Sequence, residues 1–260
     1  MKLICGTSGF SYDDWIGTFY PKSIKKSEML KSYSEVFKAV ELNVSYYTIP
    51  ATSSFEKMNQ KTPEDFEFIV KVNQETTHRR NQNKKAVQNL LEAVTPLSES
   101  NKLAGLLAQF PYSFYNNEQN RKYLLQTKEY VGDVPVFVEF RNDSWVNDAI
   151  PVFLKVNAIG YVNVDEPQLK GLLPAQDIAT IDLGYIRFHG RNKEKWWDGK
   201  GSERYEYNYT NEELQSWLIR VSEIMKKSYK SYVFFNNHPK GNAPANAMTF
   251  EKMMQQYLAE

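Results

Sequence analysis

Eight short runs rich in apolar, β-branched and aromatic residues recur roughly every thirty residues along the chain, and segments with helical spacing separate them. The runs are Leu3 to Cys5, Ala39 to Leu42, Phe66 to Val72, Leu103 to Phe110, Val136 to Phe140, Gly160 to Val164, Gly184 to Phe188 and Tyr232 to Phe235. Between them, apolar residues return at three- and four-residue intervals in SEMLKSYSEVF, KKAVQNLLEAV, RKYLLQTKEYV and NEELQSWLIRVSEIMKK, as amphipathic helices require. Only EPQLKGLLPAQ, after the sixth run, reads as irregular backbone. The alternation predicts a parallel sheet, because parallel neighbours need a crossover connection.

Parity within the runs narrows the architecture. Successive strand residues point to opposite faces, so polar residues at one parity mark the inside of a closed sheet. Ala39, Glu41 and Asn43 oppose Val40 and Leu42; Phe137, Glu139 and Arg141 oppose Val136, Val138 and Phe140. Arg187, His189 and Arg191 oppose Ile186 and Phe188, while Asn163 and Asp165 oppose Val162 and Val164. Ser8, Lys71, Gln109, Asn236 and His238 supply the other strand ends. An open doubly wound sheet would not place polar groups on one face of every strand. A (β/α)8 barrel does, and its functional residues gather at the C-terminal strand ends. The expectation is therefore an α/β protein, one closed (β/α)8 TIM barrel domain over residues 1–260, with no Gly/Ser-rich or charge-block linker to divide it.

Charge and cysteine content remove several function classes. Lys and Arg number 32 against 31 Asp and Glu, so a net charge of +1 gives no long-range attraction to nucleic acid or an anionic membrane. A basic groove is left as a local feature only. The single cysteine, Cys5, excludes an internal disulfide and a Cys-rich zinc site, and its outward parity beside Leu3 reads as packing. No apolar run reaches membrane-spanning length and MKLICGTSGF lacks signal-peptide features, so a cytoplasmic protein without a membrane partner is expected.

Several ordered motifs carry a family resemblance. GTSGFSYDDWIGTFYP at 6–21, VELNVSYYTIP at 40–50, FIVKVNQETTH at 68–78, LLAQFPYSF at 106–114 and VEFRNDSW at 138–145 are the first five. VNVDEP at 162–167, YIRFHGRN at 185–192, ERYEYNYTNEEL at 203–214 and FFNNHPKGNAPANA at 234–247 complete the set. Together they resemble the domain of unknown function 72 (YecE-like) family. The resemblance implies a TIM barrel and leaves the activity open, since members are mostly uncharacterised.

The strand-end residues set out the candidate chemistry. Lys71, Arg141, Arg187 and Arg191 are the inward cations, set against Glu41, Glu139 and Asp165. Buried charges must pair, so Glu41 or Glu139 with Arg187 also reads as an ion network that fills the core. The outer residues Arg141, Arg191, His189 and His238 suit a phosphate or carboxylate held by guanidinium groups, with histidine moving a proton. Glu41, Glu139 and Asp165 are the partner bases, and Asn43 and Asn236 are further ligand contacts. Tyr12, Trp15 and Tyr46, in aromatic-rich loops, are candidates to stack on a base or sugar, with packing as the alternative. The polar segment RNKEKWWDGKGSERYEYNY reads as a lid.

A divalent metal is not favoured, because no HxH or HExxH pair is present; no cofactor is identified and no GxGxxG follows a strand. The leading expectation is an enzyme, with hydrolase chemistry among its options, that binds a small or nucleotide-like anionic substrate. The alternatives are a nucleic-acid-binding barrel or metal-dependent phosphodiesterase of endonuclease IV-like type, and a non-catalytic ligand-binding module.

Overall fold

The computed structural model describes residues 1–259. Nine strands run β1 Lys2–Thr7, β2 Ala39–Leu42, β3 Glu67–Lys71, β4 Leu103–Gln109, β5 Val136–Glu139, β6 Gly160–Tyr161, β7 Asn163–Asp165, β8 Leu183–Phe188 and β9 Lys230–Phe235. The helices are α1 Met29–Val36, α2 Val44–Tyr47, α3 Thr52–Gln60, α4 Asn83–Ala93, α5 Thr95–Glu99, α6 Glu118–Val131, α7 Ala149–Val156, α8 Asn211–Gln215, α9 Leu218–Lys226 and α10 Asn242–Ala259. Each apolar run of the sequence coincides with a strand, the sixth being split into β6 and β7 at Val162. The helix expected over 211–227 breaks at Ser216 and Trp217.

All the strand pairs are parallel and form two sheets, ordered β1-β9-β8-β7 and β2-β3-β4-β5-β6. Two junctions bring the sheets together. At one, Ser8 bridges Glu41 and the Gly9 N–H donates to Glu41 O at 2.7 Å. At the other, the Val162 N–H donates to Val138 O at 3.1 Å while the next residue, Asn163, pairs with Ile186 of β8. Side chains also meet across the space between the sheets. Tyr232 on β9 donates to Glu67 Oε2 on β3 at 2.7 Å, and the Phe137 and Tyr185 rings meet at 4.9 Å.

Register identifies which residues share this interior. Tyr185 pairs with Tyr232 and Arg187 with Phe234; Glu139 pairs with Gln109, and Lys71 with Leu107. The parity expected for Glu41, Lys71, Gln109, Glu139 and Arg187 therefore matches their common interior face.

The sixth run departs from expectation. Val164 pairs with interior Arg187, whereas Asp165 pairs with Phe188, which packs outward on Trp217 at 5.1 Å. Asp165 and Asn163 thus face away from the interior, and the inward residue at this strand end is Glu166. The cause lies in the missing sixth helix. Residues 166–182 form no helix, so their backbone groups need other partners. Asn163 provides them, donating to Ile178 O at 2.8 Å and accepting from the Ile178 N–H at 2.9 Å. Thr180 does the same for the Tyr161 N–H at 2.9 Å. The outward polar residues replace the contacts of an absent helix.

Gly6 marks the closest approach of β1 to β2. A Cβ there would lie 2.4 Å from the backbone oxygen of Ala39 and 3.0 Å from the Phe234 ring. Gly6→Ala is expected to lower stability by about 1–3 kcal/mol, because the obstructing atom is backbone. A fall in the urea midpoint at unchanged slope would confirm it, and an unchanged midpoint would show that the two strands separate freely.

Candidate functional site

The interior charges form one network at the C-terminal strand ends. Arg187, from β8, is buried between carboxylates of the other sheet: its Nη2 lies 2.7 Å from Glu41 Oε1, and its Nη1 bonds Glu139 Oε2. Tyr185, one turn of the pleat below, donates to the second oxygen of Glu41 at 2.5 Å. Ser8 Oγ stands 3.5 Å from Arg187 Nη2. Pairing of this kind lets three charges remain in a buried interior.

Glu139 is the hub. Its second oxygen meets Arg141 Nε and lies 3.2 Å from His189 Nε2. Burial pushes the Glu139 carboxyl up, but Arg141, Arg187 and His189 outweigh burial and hold it well below the usual range. Arg141 reaches on to Glu166, 3.2 Å from Nη1 to Oε2, while Oε1 of Glu166 accepts the Leu173 N–H at 3.1 Å. Burial, against the pull of Arg141 and helped by Glu139, raises the Glu166 carboxyl to about 7. The sequence offered a signal for Glu166 in its parity with Val162 and Val164, but the polar pattern of Asn163 and Asp165 pointed to the opposite phase.

His189 is fully buried. Asn236 Nδ2 donates to Nδ1 at 3.1 Å, which leaves the ring proton on Nε2 facing Glu139. Burial first, then the Arg141 guanidinium, lowers its pKa to about 3, so it is neutral near pH 7. His238 stacks on Tyr12, centroids 4.4 Å apart and 10° from parallel, and burial lowers its pKa to about 4.

Above this network lies a cavity of about 420 Å³. Lys71, Arg141 and Arg204 are its charged residues, with His78 and Gln109 beside them, and its walls are Tyr46, Tyr47, Tyr112, Trp196, Trp197 and Tyr205. Among the described residues, no Asp or Glu lines it. Lys71 Nζ donates to Gln109 Oε1 at 2.9 Å and sits 4.5 Å from the centre of the Tyr46 ring. Burial, followed by Arg187, brings the Lys71 amine down to about 7, despite Glu139 and Glu41. His78 is held down at about 4 by burial, then by Lys71, Arg141 and Arg80. The Trp196 ring is buried near Arg141, and Trp197 packs edge-on against Tyr112 at 5.1 Å. The segment after β8, expected as a lid, thus supplies five of the lining residues, Trp196, Trp197, Gly201, Arg204 and Tyr205.

Of the expected site residues, Lys71, Arg141 and Tyr46 line the cavity. Glu41, Glu139, Arg187, His189 and Asn236 form the buried layer beneath it. Four placements correct the sequence reading. Asp165 accepts from Tyr209 Oη and Trp217 Nε1, each at 2.6 Å, on the outward side. Arg191 binds Asp165 at 2.6 Å and Glu213 at 3.3 Å there too, because Gly190 at φ +87° breaks the strand alternation before it. Trp15 is fully buried, its Nε1 donating to His238 O at 2.8 Å, so it packs instead of stacking on a ligand. Tyr12 is covered by His238 and donates to Ser8 O at 2.7 Å. Asn43 lies beside the interior, its buried Oδ1 lacking a hydrogen-bond partner among the described residues. Arg204, Tyr205 and Tyr112 come from loops without periodicity and had no signal of their own. Among the described residues no group of His, Cys, Asp and Glu has the arrangement of a metal site, and no helix is long and apolar enough to cross a membrane.

Two outcomes follow from the network. Arg187→Met leaves buried Glu41 without a cationic partner and Glu139 with Arg141 alone, and is expected to cost about 3–5 kcal/mol, read from chemical denaturation; a loss below 1 kcal/mol would mean that water replaces the guanidinium. Glu166 binds its proton more tightly folded than unfolded, so between about pH 4.5 and 7 the folded state holds more protons and the Glu166 contribution to stability falls as pH rises. Glu166→Gln is expected to remove that part of the pH dependence, measured as denaturation midpoints across the window.

Comparison with known proteins gives consistent matches over nearly the whole chain. The family model described as "Protein of unknown function DUF72" matches residues 4–260. The UPF0759 protein YunF of Bacillus subtilis is 35% identical, over 94% of this chain and 92% of its own length. Among solved structures, a DUF72 family protein from Thermotoga maritima is 42% identical with a TM-score of 0.91, covering 98% of this chain and all of that one. A DUF72 family protein from Enterococcus faecalis is 28% identical with a TM-score of 0.87, covering 97% and 95%.

Proposed function

The chain belongs to the DUF72 family of proteins of unknown function, and from that premise we propose that it is an enzyme for a small anionic substrate bound at the C-terminal strand ends. The observation that carries the reading is the sign of the cavity lining: Lys71, Arg141 and Arg204 with no carboxylate. A phosphate or carboxylate placed there meets guanidinium groups in a partly desolvated space, where such contacts are stronger than in water. The six aromatic side chains suit a planar or ring-bearing remainder of the substrate. In this reading Arg141 and Arg204 hold the anion. Glu139 and Glu166 fix Arg141, and Lys71 is the cavity group whose proton exchange falls near neutral pH.

The same reading takes residues 1–260 as one domain whose two sheets close into a single (β/α)8 barrel. The Ser8–Glu41 bridge, the Val162 crossover and the ion pairs across the interior support closure. A cavity at the C-terminal face is where barrels of this kind carry their chemistry.

Arg204 tests the proposal cleanly, because it lies on the covering segment and makes no ion pair among the described residues. Arg204→Ala is expected to weaken binding of pyridoxine 5′-phosphate about tenfold, the loss of roughly one charge-assisted hydrogen bond, with the thermal midpoint unchanged. Calorimetry at two salt concentrations gives the measurement. Equal affinity for pyridoxine and its phosphate would overturn the anion-binding reading.

A further inference from the structure

The geometry points to Lys71 as a nucleophile toward a carbonyl carbon, which makes the cavity a site for anionic aldehydes or ketones held as imines on its amine. The inference rests on the anion-binding reading above and adds a covalent step to it.

Lys71 differs from the other interior cations in its partners. Arg187 is shared by Glu41 and Glu139, and Arg141 by Glu139 and Glu166. Those contacts occupy the carboxylates, and no Asp or Glu oxygen comes within ion-pair distance of Lys71 Nζ among the described residues. Its hydrogen bond goes to Gln109 Oε1, an uncharged acceptor. Gln109 is itself anchored, since its Nε2 donates to Phe110 O at 2.8 Å and so turns the amide oxygen toward the amine. One N–H is thereby fixed at the strand end while the rest of the nitrogen faces the cavity.

The surroundings favour the neutral amine. Arg187 and Arg141 face it from β8 and β5, Glu41 and Glu139 from β2 and β5, Tyr46 from α2 and neutral His78 from the loop after β3. Burial and the two guanidiniums outweigh the carboxylates and bring the amine to about 7. The Tyr46 ring acts in the opposite sense, holding the protonated form by its face. An ordinary lysine is roughly one part in two thousand free base at pH 7; here the two forms are comparable. A desolvated lysine beside another cation is a recognised way of activating this nucleophile.

The chemistry balances with the groups present. The Nζ lone pair attacks the carbonyl carbon, the C=O π pair moves to oxygen, and a proton passes from nitrogen to that oxygen to give a carbinolamine. The nitrogen pair then forms C=N as the hydroxyl leaves as water with a second proton, given by the Tyr205 hydroxyl and restored to it from solvent, yielding a protonated imine and one water, with nothing oxidised or reduced. Tyr205 and His78 line the same cavity; the hydroxyl can donate and the neutral imidazole can accept the transferred protons. Arg141 and Arg204 hold the substrate anion meanwhile.

Pyridoxal 5′-phosphate is a suitable probe, joining a phosphate, a planar ring and an aldehyde. At equimolar probe and pH 7, borohydride reduction followed by peptide mass spectrometry is expected to place the adduct on Lys71 about tenfold above any other lysine. The yield should rise with pH through a midpoint near 7, and pyridoxal without the phosphate should label far less. Lys71→Arg, which keeps the charge but forms no imine, is expected to lose the adduct and keep its thermal midpoint. Pyridoxine 5′-phosphate, with an alcohol in place of the aldehyde, separates the two readings. If it binds while the label scatters over surface lysines, the imine is overturned and the anion site stands; if it fails to bind and the label scatters, both fall.

Discussion

A guanidinium with almost no solvent exposure, held between two carboxylates of the opposite sheet, is the constraint on which this structure depends. Arg187 cannot leave its partners without stranding charge in a medium that solvates it poorly, so the positions of Glu41 on β2 and Glu139 on β5 are fixed relative to β8. The triad therefore does more than fill space. It links the two sheets by ionic contacts in their shared interior, one layer above the Phe137–Tyr185 contact. Tyr185 takes the remaining oxygen of Glu41, and Arg141 with His189 stands within ion-pair reach of that of Glu139, so both carboxylates lie against cations.

Charge pairing below sets the charge balance above. Because Arg187 and Arg141 absorb the negative charge of the buried layer, the next cation outward, Lys71, is left with an amide oxygen and a tyrosine face. Burial first, and then two guanidiniums acting across a low-dielectric gap, make its proton easy to lose. The same arrangement accounts for His189. A histidine placed among strand-end charges reads as a proton carrier, yet with Asn236 on one nitrogen, Glu139 at the other and no exposure, it faces Glu139 and stays neutral. Carboxylates at depth and cations at the surface of the same column give the cavity its sign while the chain as a whole carries a net charge of only +1.

Strand positions were legible because each run combines apolar content with a flanking turn, and parity was legible wherever the inward residue must be charged. Glu41, Glu139, Arg187 and Lys71 could be placed on the interior face for that reason. The sixth strand defeats the method, since polar residues on its outer face serve backbone groups of a segment that has no helix to satisfy them. Asn163 bound to Ile178 is indistinguishable in sequence from an inward asparagine. Arg191 fails differently: alternation holds only while the backbone stays extended, and Gly190 at positive φ ends it. Aromatic loops are ambiguous by nature. Trp15 and Tyr46 have similar local sequence surroundings, and only tertiary contacts make the first a buried prop for His238 and the second a wall of the cavity.

The covering segment after β8 couples these levels. It is tied at its base, where the Gly190 N–H donates to Tyr209 Oη at 2.8 Å and Asn192 donates to Glu203 O and Glu206 O, each at 3.2 Å. Its middle is held chiefly by Trp196, buried close to Arg141, while Trp197 is half exposed on Tyr112. Arg204 and Tyr205, further along the same segment, complete the wall of the cavity beside Trp196 and Arg141, so the cations that give the cavity its sign come from both the strand ends and the covering segment.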